Sequence, residues 1–259
     1  MPTRLRRTLL VVAGVQALTA LLLIWHPPLV TDIWPLPETT ELSFIFLASI
    51  AAAAAASLAW ACLWGETGSL VGIGLDAMAI FWPLIAWLVL LDPARGGGVT
   101  PFLLLAVVTA LLFTGLLWYA RREPIRDPRP TPRPVLVAFG VFVVALLIVA
   151  ALLIAGTPNV LPWKVTREAA VLAGIMFLGA AAYFAYGLAR PSWANAGGQL
   201  AGFLAYDVVL IVPFLTRLPG IRTEWFLSLV LYLAVIVGSA LVAVWYLFVV
   251  AETRLRRPR

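Results

Sequence analysis

Two carboxylates stand where a carboxylate is costly. Asp76 lies inside the apolar run GIGLDAMAIFWP, residues 72–83, and Asp207 follows Tyr206 inside AGFLAYDVVLIVP, residues 201–213. A charged side chain in the middle of a membrane span costs about 2.5–3.5 kcal/mol on insertion scales. No Arg or Lys falls at comparable depth in any apolar run, so no ion pair offsets that cost. What remains is proton chemistry: a neutral carboxyl bonded to a helix carbonyl, or a carboxyl in a solvated crevice that takes up and releases a proton. Pro83 and Pro213 follow the two acids within the same runs. Each proline removes a backbone bond and frees a carbonyl, and proline-interrupted spans in corresponding positions of two halves point to a transport site. The candidate set for binding or proton relay is therefore Asp76, Asp207, Tyr206, Pro83 and Pro213, with no catalytic residue assigned. Gly72, Gly74, Gly197, Gly198 and Gly202 would let neighbouring helices approach at that level.

Other chemistries find less support. Intramembrane aspartyl proteases pair a YD with a GxGD. Tyr206-Asp207 supplies the first, but Gly72-Ile73-Gly74-Leu75-Asp76 reads GxGxD, in reversed order. The extra residue turns the carboxylate about 100° around its helix. GxSG serine centres, HExxH helices and aspartate-rich prenyl sites are absent. One cysteine, Cys62, and one histidine, His26, cannot build a disulfide, a zinc site or a bis-His haem within the chain. No metal or cofactor is expected. His26, beside Pro27 and Pro28, reads as a rim residue.

The elements that must position these residues are membrane helices. Hydrophobic residues make up 63% and charged residues 12% of the 259 positions, against roughly 45–50% and about 25% in soluble domains. Such a chain cannot cover a water-facing surface. Windows of about 20 apolar residues give eight spans, near 8–25, 42–64, 69–91, 101–120, 134–156, 169–189, 199–218 and 225–250. Breaks such as GETGS and ARPSWANAGGQ separate them. The net charge of +6 belongs to orientation rather than to nucleic acid, for which no binding is expected: 17 of the 18 basic residues are Arg, gathered in loops and tails. With the N-terminus cytoplasmic, 13 basic residues fall on that side and 5 on the other. The positive-inside rule then puts both termini in the cytoplasm. The N-terminal run lacks a small-residue cleavage site and reads as a retained first helix. Trp34 and Trp163 are expected at one membrane interface, Trp64 and Trp193 at the other.

The halves repeat. Trp34 and Trp163 are 129 apart, as are Trp64 and Trp193; Asp76 and Asp207 are 131 apart, and Pro83 and Pro213 are 130 apart. Trp118-Tyr119 returns as Trp245-Tyr246 after 127. The expected fold is all-α integral membrane: a first four-helix repeat over 1–122, a Pro/Arg-rich cytoplasmic linker over 123–133, and a second repeat over 134–259. An even number of spans in each half makes the repeats parallel, with a pseudo-two-fold axis along the membrane normal. That axis would set Asp76 and Asp207 at one depth, facing each other between the halves.

The segment DIWPLPETTE, with a degraded copy from Pro162-Trp163 to Glu168, resembles Trp-Pro motifs that open helices in uncharacterised multi-pass proteins of high-GC bacteria. The resemblance implies a bacterial inner-membrane setting, consistent with an Ala/Arg-rich composition, and carries no activity. Three functional classes follow from the residues. The first is a non-enzymatic protein that binds or transports a small molecule, lipid or protons between the repeats. The second is an accessory subunit of a larger membrane complex, partnered by other membrane subunits as well as by lipid. A membrane-embedded enzyme is the third.

Overall fold

The structure is a computed structural model describing residues 1–36, 39–96 and 98–255, without the Arg95 side chain. It is helical throughout: α1 Thr3–Trp25, α2 Pro28–Ile33, α3 Glu41–Trp64, α4 Leu70–Leu91, α5 Thr100–Ala120, α6 Arg133–Ala155, α7 Arg167–Ala189, α8 Trp193–Leu215 and α9 Thr223–Val244. All but the short α2 are long and apolar enough to cross a bilayer, eight in number among the described residues.

Local chemistry sets the helix ends. Thr40 and Thr166 each accept a hydrogen bond from the amide three residues on, opening α3 and α7. Gly65 closes α3 at φ +69, which a side chain would resist. Arg167 donates to the free carbonyls of Leu153 (3.0 Å) and Ile154 (2.5 Å) at the end of α6, beside Gly156 at φ +83. That arginine caps the preceding helix and ties α6 to α7.

Four helices lie inside and four outside. α3 packs on α8, and α4 on α7; α1 backs α3, α5 backs α4, α6 backs α7 and α9 backs α8. Without water to drive association, such contacts depend on small residues that bring backbones close. A Cβ on Gly202 would stand 2.5 Å from Ser57 Oγ and 3.2 Å from the Ala53 carbonyl. One on Gly72 would meet Tyr183 at 2.9 Å and Tyr186 at 3.0 Å. The outer helices turn bare aliphatic residues outward, among them Val11, Leu112, Val137 and Leu227.

Most of the described arginines fall at one end of the bundle, on the N-terminus, the α7–α8 turn, Arg254 and a strap over 121–132 that joins the halves; the α3–α4 turn lies at the same end. Backbone bonds pin the strap there, Trp193 N to Arg129 O (2.7 Å) and Thr131 N to Pro191 O (3.2 Å). Arg126 N donates to Glu66 at 3.0 Å, and Arg129 Nη1 to the Glu252 carbonyl at 2.5 Å. Burial pushes the Glu66 carboxyl above the usual range, and the Arg126 amide only partly offsets it. The Arg129 guanidinium, 2.6 Å from Asp127, holds that carboxyl below it.

Two expectations fail. ARPSWANAGGQ is a break only as far as Ser192; α8 begins at Trp193, because Gly197 and Gly198 are contact points against Trp60 rather than loop residues. Trp163 and Trp193 are not interfacial anchors, at 4% and 1% exposure. Trp163 is buried where the halves meet and donates to Ser43 on α3 at 3.0 Å. His26 does sit at a rim, stacked on Phe44 at 5.9 Å.

Candidate functional site

Asp207 is wholly buried. Its Oδ2 lies 2.8 Å from Ser239 Oγ on α9, while its Oδ1 has no hydrogen-bond partner among the described residues. Ser239 Oγ is also 2.8 Å from the Val235 carbonyl and 3.2 Å from that of Ile236. A hydroxyl has one hydrogen to give. If Ser239 spends it on the helix carbonyl, the contact with Asp207 needs the acid's own proton; if Ser239 gives it to Asp207, the acid can be ionised. Rotation of one hydroxyl therefore accommodates both forms of Asp207.

Tyr206, one residue before, hydrogen-bonds hydroxyl to hydroxyl with Tyr232 of α9. Its ring meets Phe46 of α3 edge-on at 6.4 Å, and the Tyr232 ring meets Phe214 at 5.0 Å. Tyr206 thus links the Asp207 side of α8 to the contact between the halves.

Asp76 stands elsewhere. A Cβ on Gly179 of α7 would lie 2.5 Å from its Oδ1, so the absence of a side chain there makes room for the carboxyl. Tyr183, one turn further along α7, lies beside both Asp76 and Ser57. Ser57 donates to the Gly198 carbonyl at 3.2 Å, and Gln199 Nε2 to the Tyr183 carbonyl at 2.5 Å. Among the described residues no charged group of either sign stands at the level of these acids apart from the acids themselves.

The structure thus separates what the spacing had paired. Asp76 is six residues beyond the start of α4 and Asp207 fourteen beyond the start of α8. At 1.5 Å per residue these are about 9 Å and about 21 Å from the Arg-rich end. Asp76 lies between the halves, against α7, whereas Asp207 is held by Ser239 within the second half; no hydrogen bond joins them. A shared-proton pair of the protease kind is not present. Pro83 lies mid-helix and frees the Ala79 carbonyl, but Pro213 is two residues from the end of α8 and serves to close it.

Sequence reasoning missed Ser239, Tyr232, Tyr183 and Gln199. Periodicity could have found them: Tyr232 and Ser239 are seven apart on one face of α9, and Asn195, Gln199 and Tyr206 share a stripe of α8. Near the other end, Trp34, Ser43, Phe46 and Trp163 line a crevice of about 20 Å³, room for one water. Among the described residues no three His, Cys, Asp or Glu side chains cluster as metal ligands. No protein-family model, curated protein or solved structure matches this chain.

Proposed function

We propose that this is a non-enzymatic multi-pass membrane protein that binds and releases a proton at Asp207, in support of moving protons or a small solute between two four-helix halves. The carrying observation is the buried carboxyl with one oxygen unpartnered and the other on a hydroxyl that serves either protonation state. Asp76, with Tyr183 and Ser57, is the second polar station, at the contact between the halves.

The helix pairings support the two-half reading. Exchanging α1, α3, α4 and α5 for α6, α7, α8 and α9 leaves every major pairing unchanged. The capping residues Thr40 and Thr166 are 126 apart, and Gly72 and Gly198, each set against an aromatic of the opposite half, are also 126 apart. At that register Asp76 corresponds to Gly202, so the acids are not symmetry mates and each half carries its own. The arginine distribution supports a cytoplasmic Arg-rich end. Composition and the Trp-Pro segment support a bacterial inner membrane.

The test is a proton inventory on the purified chain in nanodiscs, counting protons exchanged on a pH step with an indicator dye. The wild type should exchange one more proton per chain than Asp207→Asn. Equal counts from two equally folded proteins would refute the reading. Co-purification of a fixed partner set, together with equal counts, would favour an accessory subunit.

A further inference from the structure

We infer that Asp207 exchanges its proton with the Arg-rich face only, through a hydrated polar track along α8 where it meets α3 and α7, and that the opposite side is sealed. The inference rests on the proton-binding reading above and adds a direction and a path to it.

The distribution of unsatisfied polar atoms carries it. Buried side-chain nitrogens and oxygens nearly always have a partner, protein or ordered water. Here Asn195 Oδ1, Gln199 Oε1 and Trp60 Nε1 are buried and unpartnered among the described residues. Together they offer two acceptors and one donor where α8 meets α3 and α7: Gly197 abuts the Trp60 ring of α3, while Gln199 and Asn195 donate from their amide nitrogens to the carbonyls of Tyr183 in α7 and Arg190 at its end. Water supplies both a donor and an acceptor, so it satisfies all three, and a buried water typically makes about three hydrogen bonds. Among the described residues, all the unpartnered buried side-chain atoms apart from Asp207 Oδ1 lie nearer the Arg-rich end than Asp207.

Helical spacing joins them into a track. Asn195, Gln199 and Tyr206 follow one another at four and seven residues, one stripe of α8 leading from the Arg-rich end to the residue beside Asp207. Ser57 and Tyr183 flank that stripe, their hydroxyls brought close to α8 by Gly202 and Gly198. From Gln199 to Asp207 is eight residues, about 12 Å, the span of a short chain of waters.

The other side differs in kind. Between Asp207 and the far end stand Phe46, Trp163, Leu210 and Phe214, each at most 4% exposed. The rings of Phe46, Trp163 and Phe214 interlock at 5.8 to 5.9 Å. The polar atoms there are used up: Ser49 donates to the Phe46 carbonyl at 2.6 Å, and Ser43 accepts from Trp163 at 3.0 Å. Nothing among those side chains would hold a water between the crevice at Trp34 and the acid.

The groups facing Asp207 are Ser239 and Tyr232 from α9 and Tyr206 from α8, all uncharged hydroxyls; the one near Asp76 is Tyr183 from α7, itself hydrogen-bonded to Ser57 of α3. The test uses full-length protein in proteoliposomes with the chain inserted in one known direction. The pH is stepped on one face at a time, and the carboxylic C=O stretch assigned by Asp207→Asn is followed in time by infrared difference spectroscopy. The band should respond to a step at the Arg-rich face and not, on that timescale, to one at the far face. Gln199→Leu should slow the response roughly tenfold. A response from the far face, or one unslowed in a folded Gln199→Leu protein, overturns the track and leaves proton binding standing. No response from either face in the wild type overturns both.

Discussion

Replacing Gly197 by alanine probes the contact that holds the two halves together. A Cβ there would overlap the Trp60 indole and stand 2.8 Å from two of its further ring atoms, where no real Cβ is found. Trp60 cannot swing aside freely, because it stacks on Trp64 at 4.3 Å with 9° between the planes. Overpacking of this kind costs typically about 1–3 kcal/mol. Alanine also gains helix propensity over glycine, about 1 kcal/mol in water, so the variant needs a matched reference. Gly140 in α6 has no atom within 4 Å of its would-be Cβ, and Gly140→Ala takes the propensity gain without the clash. The difference between the two variants should therefore be about 1–3 kcal/mol, with Gly197→Ala the less stable. Equilibrium unfolding by denaturing detergent in mixed micelles, followed by tryptophan fluorescence and by circular dichroism, would measure it. Equal stabilities would refute the close α3–α8 crossing, and with it the placement of the polar track.

Three further outcomes follow from the same geometry. A double-mutant cycle on Asp207→Ala and Ser239→Ala should show a coupling of about 0.5–1.5 kcal/mol, since Ser239 is the acid's one hydrogen-bond partner among the described residues; zero coupling would remove that contact. Burial raises the Glu66 carboxyl, so its folded form holds a proton more tightly than the unfolded chain does. The stability it contributes is present below the ordinary carboxylate range and is lost as pH rises through the raised value. Thermal melts should accordingly show wild type losing stability relative to Glu66→Gln as pH climbs toward neutral, and parallel curves would contradict this. Reporter fusions after Arg122 and Arg259 should read cytoplasmic, and fusions in 93–99 or 157–162 periplasmic; a periplasmic C-terminus would break the topology.

Hydropathy alone placed the long helices, because a span must be both apolar and about 20 residues long. Its failure at the start of α8 has a physical cause. Trp193, Asn195, Gly197, Gly198 and Gln199 look like loop chemistry in water, yet they are buried at a close helix crossing where glycine is selected for contact and amides point inward. The same error misplaced Asp207. Taking α8 to start later put both acids at one depth, and the spacing of 131 then read as symmetry. The acids themselves were legible, since any carboxylate in hydrocarbon demands an account. Their partners were not, because Ser239 and Tyr183 are ordinary residues until the packing of α8 on α9 and of α4 on α7 brings them alongside.

The central claim is that Asp207 gains and loses a proton inside the bundle. Static infrared titration of the protein in nanodiscs tests it most directly, following the carboxylic C=O stretch across the pH range in which the fold persists. The account predicts a band that fades with rising pH in the wild type, persists in Asp76→Asn and is missing in Asp207→Asn. A band that never titrates, or one unchanged by Asp207→Asn, would contradict it.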